Sequence, residues 1–286
     1  MNALVIHGGA GKLVDGIGHQ RGIQAALRAG YDTLRRTRNA LEGALSAVRA
    51  MEDDPAFNCG TGSALTINGR VMMDASVMTS AGDYGAVGAI ENVRHPIDVA
   101  VRVMNETDHY LIAGEWATKL ARFWSFPDYN PVTKREQERL AKLKRGSKLS
   151  YYTHWREFKK FGTVGAVALD PHGRIAVATS TGGIRGKLPG RIGDTGIYGA
   201  GTFAGRAGGA SATGFGEEII ELLLAKRVCD LMAKHRAQQA IDAAIRGTHK
   251  VGVICLDRKG NIGYGHTTRD MSWGFIREGR EKVFEP

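Results

Sequence analysis

Glycine crowds this chain while proline is scarce: 39 glycines stand against seven prolines in 286 residues. That glycine share is about twice the usual one. Flexible linkers combine glycine with proline, serine and charge, and no such combination dominates here. Glycine without proline predicts a folded domain with many tight turns and places where backbones pass close together. Hydrophobic residues make up 43% of the chain, enough to bury a sizeable core beneath those turns.

Periodicity gives the elements. Ala3 to Ile6 reads as a buried strand that ends in the turn-rich run His7-Gly8-Gly9-Ala10-Gly11. Gln20 to Glu52 carries apolar residues at helical spacing, with a break near Thr37 and Asn39, both good caps. Asp53-Asp54-Pro55 ends the second helix. Ser63 to Ile67 and Val71 to Asp74 read as strands joined by an Asn68-Gly69 turn. Pro96 to Glu106 and Glu115 to Phe123 read as helices. A β-rich series follows: Val164 to Leu169, Ile175 to Thr179 and Tyr198 to Ala200. One long helical stretch, Glu217 to Arg246, then precedes a hairpin of Val251 to Leu256 and Ile262 to Thr267. This order predicts sheets sandwiched by helices, with the strand after Thr163 near the centre.

The net charge of +10 invites a nucleic-acid reading, but the charge is concentrated. Residues 134–160 hold ten Lys or Arg against three Asp or Glu. A solvated linker explains that run better than a specific nucleic-acid groove. No apolar stretch reaches membrane-spanning length, since Ile219 to Ala225 is broken by Glu221, and Ala3 to Ile6 is too short for a signal peptide. Cys59, Cys229 and Cys255 are odd in number and widely spaced, as expected of free thiols in the cytoplasm.

Several motifs fail on inspection. Gly199-Ala200-Gly201-Thr202-Phe203-Ala204 fits a dinucleotide fingerprint, yet no helical pattern follows to receive a pyrophosphate. Gly11-Lys12 lacks the rest of a phosphate loop, the nine histidines show no metal-ligand spacing, and no nucleophile elbow is present. What remains is a glycine- and threonine-rich block. Gly162-Thr163 opens a β-rich run, followed by Thr179-Ser180-Thr181-Gly182-Gly183, then Gly190-Arg191-Ile192-Gly193-Asp194, then Ser211-Ala212-Thr213-Gly214. Threonine is a poor nucleophile unless a base stands beside it. An N-terminal threonine carries its own base, an α-amine with a pKa of about 8. Freeing that amine requires cleavage between Gly162 and Thr163, where glycine leaves the carbonyl open to attack.

On these motifs the chain resembles the plant-type L-asparaginase and isoaspartyl peptidase family of N-terminal-nucleophile hydrolases. The resemblance includes Ile6-His7-Gly8-Gly9-Ala10-Gly11, Asp54-Pro55-Ala56-Phe57-Asn58-Cys59-Gly60, Asp74-Ala75-Ser76, the Thr163 block and His266-Thr267-Thr268. It implies one domain with a four-layer αββα sandwich. Self-cleavage would yield an α chain of residues 1–162, ending in the basic linker of about 134–160, and a β chain of 163–286. Thr163 would be the nucleophile, Thr181 would orient its hydroxyl, and Asn58 would help to position it. Arg191 would hold the substrate's α-carboxylate and Asp194 its α-ammonium, with Gly216 in the same seat. Thr213 and the Gly214 N–H would form the oxyanion hole. The implied substrates are L-asparagine and β-aspartyl dipeptides, the implied assembly a dimer of αβ units. No cofactor is implied beyond a structural sodium ion on the backbone of Glu52 to Gly60. Two alternatives stand beside this reading: a glycosylasparaginase-like or protein-cleaving relative, and an uncut basic binding protein without activity.

Overall fold

A computed structural model describes residues 1–145 and 162–286. Its larger sheet places β1 (Ala3–Gly11), β5 (Val164–Leu169), β6 (Ile175–Thr181) and β2 (Met73–Thr79) side by side at the centre. Strands β11 (Asp270–Arg277) and β12 (Arg280–Val283) extend it beyond β1, while β3 (Tyr84–Ile90) and β4 (Leu111–Ala113) extend it beyond β2. The second sheet runs in the order β10 (Ile262–His266), β9 (Val251–Asp257), β8 (Gly208–Gly214) and β7 (Thr202–Ala204). Strand period two explains why the sheets can be covered on both faces. Leu4 and Ile6 of β1 join the core under the helices, and Ala3 and Val5 join the core between the sheets.

Helices α1 (Gly16–Thr37) and α2 (Ala40–Asp53) cover the outer face of the larger sheet, beside α3 (Pro96–Glu106) and α4 (Gly114–Phe123). Asp15 caps α1 and Asn39 caps α2, each accepting a backbone N–H in the first turn. On the far side, α7 (Leu224–Met232) and α8 (Ala237–Ala244) cover the smaller sheet with a core of their own. The layers are therefore helix, sheet, sheet, helix, as the resemblance implied. The strand after Thr163 lies in the middle of the larger sheet.

Five local expectations are corrected. Strand β1 continues through His7 to Gly11 with a bulge between His7 and Gly9, where a turn was expected. The segments around Asn68-Gly69 pair only through a Leu65–Val71 bridge, and Tyr198–Ala200 is a turn leading to β7. The long helical stretch is broken: α6 (Gly216–Leu222) ends at Leu223, which is left-handed with φ of 46°. The break has a tertiary cause. The N–H groups of Ala225 and Lys226 bond the carbonyls of Ala200 and Gly199, so α7 begins on a new partner. A further break before α8 is closed by Arg236, whose N–H bonds the Gln239 side chain.

The fifth correction concerns the basic segment. Residues 146–160 of the expected linker lie outside the described residues, but Lys134–Arg145 is helix α5, with one face solvated and the other docked. It docks through Leu140 and through Glu136, a buried carboxylate gripped by Arg139 and Arg185. A charge count along the chain cannot reveal that one of the carboxylates points inward.

Candidate active site

Thr163 immediately precedes β5 and is buried. Its hydroxyl donates to Thr181 Oγ1 at 3.2 Å, and the Thr181 hydroxyl donates to the carbonyl of Gly162 at 2.9 Å. Neighbouring strands make this meeting, because β5 and β6 pair antiparallel with Val164 opposite Ser180. Asn58 Nδ2 supplies a second donor to the same carbonyl, at 2.6 Å. Asn58 is itself held fast. Its Oδ1 accepts from Ala64 N, its Nδ2 also donates to Gly183 O, and its backbone carbonyl accepts from Gly182 N. Gly183 N–H donates to Thr181 Oγ1, so that hydroxyl has one remaining direction in which to give its proton. Two fixed donors on one carbonyl oxygen are the arrangement that stabilises an oxyanion. Here that carbonyl belongs to the peptide bond in front of the threonine.

Arg191 and Asp194 form the opposite wall with Gly214 and Gly216. The cavity they enclose with Gly162, Thr163 and Thr181 measures about 10 Å³, room for about one water. Arg191 donates twice to Glu217, at 2.8 and 3.1 Å. Asp194 is buried, with Oδ2 unpartnered among the described residues. Burial pushes its carboxyl up to about 7, against the pull of the Arg191 guanidinium. Thr213 does not line this cavity. Its hydroxyl lies one residue away, accepting from Ala10 N at 3.3 Å.

Three features were not assigned a role on sequence grounds. Asp74 is fully buried on β2 and accepts from Gly193 N and Ala89 N, which pins the loop bearing Arg191 and Asp194 to the sheet. Lys187 is buried beside Gly183, with Nζ unpartnered among the described residues, and burial lowers its pKa. The third is a chain of buried hydroxyls beneath the site. Ser76 donates to Thr202 at 2.7 Å, Thr202 donates to Thr179 at 2.7 Å, and Thr179 meets Ser211 at 2.9 Å. Ser211 meets His7 Nε2 at 2.9 Å. The Thr202 proton goes to Thr179, which leaves the Thr179 proton for Ser211 and the Ser211 proton for His7; in that order of donors His7 accepts on Nε2. The imidazole then carries its proton on Nδ1, which finds no partner in ordinary hydrogen-bond geometry although the Thr163 backbone lies near it. Burial lowers the His7 pKa to about 3, so the ring is neutral. Gly165 makes the approach of β8 feasible, since a Cβ there would lie 2.0 Å from Ser211 Oγ. The sequence signal was available in alternate residues: Thr179 with Thr181 and Ser211 with Thr213 each share a strand face.

The turn after α2 gathers carbonyl oxygens. A Cβ on Gly60 would sit 2.2 Å from Glu52 O, and one on Gly62 would sit 1.9 Å from Phe57 O and 2.8 Å from Pro55 O. Such a cradle of neutral oxygens fits a hard cation. Among the described residues, no group of three or more His, Cys, Asp or Glu could hold a metal ion, and no helix is long and apolar enough to cross a membrane.

A family model described as asparaginase matches residues 1–285. A plant-type L-asparaginase of Pyrococcus horikoshii is 40% identical, aligned over 99% of this chain and 98% of its own. Another from Pyrococcus abyssi is 39% identical over 98% of this chain and 97% of its own. An isoaspartyl peptidase/L-asparaginase of Xenopus laevis is 37% identical over 96% of this chain and 92% of its own.

Proposed function

The chain belongs to the asparaginase family, and from that premise we propose that it cuts itself before Thr163 and then hydrolyses L-asparagine and β-aspartyl peptides. The observation that carries this reading is the single hydrogen-bonded line from the Thr163 hydroxyl through Thr181 to the Gly162 carbonyl. In the first reaction Thr163 Oγ attacks the Gly162 carbonyl carbon; its proton passes to Thr181 Oγ1 as Thr181 gives its own to the carbonyl oxygen, and that proton goes on to the Thr163 nitrogen as the carbonyl re-forms. Asn58 and Thr181 steady the charge on the carbonyl oxygen. The C–N bond then breaks, the nitrogen takes a proton to become a free amine, and Gly162 is left as an ester on Thr163. Water hydrolyses that ester to a Gly162 carboxylate. The uncut cavity has no room for a substrate, so cleavage both frees the base and removes a plug.

In the second reaction the Thr163 amine takes the hydroxyl proton and the oxygen attacks the substrate's side-chain amide. Arg191 holds the α-carboxylate, leaving Glu217 to do so, and Asp194 takes the α-ammonium. The Gly214 N–H and Thr213 form the second oxyanion site, with the Thr213 hydroxyl turning from Ala10. Ammonia or an amine departs, and water releases aspartate. The carbonyls of Glu52 and Phe57 would hold a sodium ion, which would stiffen the turn that presents Asn58. The buried thiols support a cytoplasmic setting, and exposed Trp116 and Phe123 on α4 supply an apolar face for pairing two αβ units. Purified protein should yield fragments ending at Gly162 and beginning at Thr163 by intact mass, and should release ammonia from L-asparagine. Thr163→Ala should remain whole and inactive. Full activity in an uncut wild-type chain would overturn the reading.

A further inference from the structure

A second cavity, of about 110 Å³, shares Gly162 with the first and is lined by Asn58 and by Gly9, where a Cβ would lie 3.4 Å from Thr163 N. Four cationic side chains line it, Lys12, Arg135, Arg139 and Arg185, against two carboxylates, Asp15 and Glu136. Glu136 is 1% exposed and receives Arg139 Nη1 at 2.6 Å and Arg185 Nε at 2.9 Å. A third guanidinium, Arg135, reaches the Pro55 carbonyl through Nη2, while its buried Nε makes no hydrogen bond among the described residues and lies 3.8 Å from Glu136 Oε1. One buried carboxylate therefore organises three guanidinium groups, and the cavity keeps an excess of positive charge. Guanidinium forks suit carboxylates.

The position of the nucleophile's own nitrogen gives this cavity a use. On the reading above, the leaving amine takes its proton from the Thr163 α-amine, so it must depart on the side of that nitrogen. In the uncut chain that nitrogen is bonded to Gly162, and Gly162 borders the arginine cavity. L-Asparagine releases ammonia, which has nothing to bind there. A β-aspartyl dipeptide releases an amino acid, whose carboxylate lies two bonds from the departing nitrogen. We propose that the cavity formed by Arg135, Arg139 and Arg185 around Glu136 is the leaving-group subsite, and that it selects β-aspartyl peptides whose leaving residue carries a free carboxylate. This inference rests on the proposed amidase and adds the determinant of its preference.

The test uses the matured protein and three probes: β-aspartyl-glycine, the same dipeptide with a C-terminal amide, and L-asparagine. The free acid should exceed the amide in kcat/KM by about tenfold in the wild type. In Arg139→Gln, and separately in Arg185→Gln, that ratio should fall toward one, whatever the rate on L-asparagine. Arg139→Gln leaves Arg185 holding Glu136, so it is the variant expected to fold. Equal values for acid and amide in the wild type would mean that Glu136 and the chain's own Gly162 carboxylate already satisfy the arginines, and would overturn the subsite. A preference that survives in both variants would overturn it too. Failure to hydrolyse any of the three probes overturns the amidase reading itself, and the subsite with it.

Discussion

Asp194 is the residue at the site whose charge is least provided for. Its Oδ2 has no partner among the described residues, and burial raises its carboxyl to about 7. Only the ionised form can take a substrate's ammonium, so the sign of the pH effect is fixed. As pH falls through 7 the carboxylate takes up a proton, and affinity for an aspartyl head group should drop by about tenfold per unit. The inhibition constant of L-aspartate, measured from pH 5 to 8 on matured protein, checks this. Asp194→Asn should bind weakly with no such slope, and a slope that persists in that variant would assign the titration to another group. Asp194 and Arg191 could be picked out in the sequence through the family resemblance, on the motif Gly190-Arg191-Ile192-Gly193-Asp194. Their environment could not. Asp74, which pins their loop through Gly193 N, lies more than a hundred residues away in the chain.

At the scale of elements, strands β6 and β8 each present two polar residues to the space between the sheets, one level at the site and one below it. The lower level is the hydroxyl chain, and every member is buried. Thr179 is its middle link, accepting from Thr202 and meeting Ser211. Thr179→Val keeps the shape but strands both neighbours. It should cost about 1–3 kcal/mol of stability and slow self-cleavage, because β6 also carries Thr181. Thr179→Ser should restore both. Urea midpoints and the fraction cut over time would settle the matter, and a valine variant that folds and cuts normally would reduce the chain to incidental packing. Helix α5 teaches a related lesson about elements. Its charges read as a solvated run, yet Glu136 faces inward because Arg139 and Arg185 meet it there.

At the scale of the whole molecule, the proposed cut falls inside an interleaved sheet. Strands β1 to β4 belong to residues before Thr163, whereas β5, β6, β11 and β12 follow it. In the sheet, β5 and β6 lie between β1 and β2, and β11 pairs with β1. Separating the fragments would therefore break strand pairs on several fronts. We expect both fragments to elute together at neutral pH and to part only in denaturant, which size exclusion followed by denaturing gel would show. The sequence by itself determined much of this protein: the helices α1 to α4 to within a few residues, the strands β5, β6, β9 and β10, and the motif block around Thr163. Those follow from apolar spacing, caps and turn residues, which act over a few positions. The tertiary structure alone decided where β8 lies, since its glycine- and alanine-rich run carries no apolar periodicity and becomes a strand only where two sheets pass close together. It also decided that Leu223 ends a helix, because distant carbonyls capture the next N–H groups, that Glu136 is paired with Arg139 and Arg185, and that His7 sits neutral in the interior. Burial and hydrogen-bond partners depend on residues far apart in the chain, and no local pattern records them.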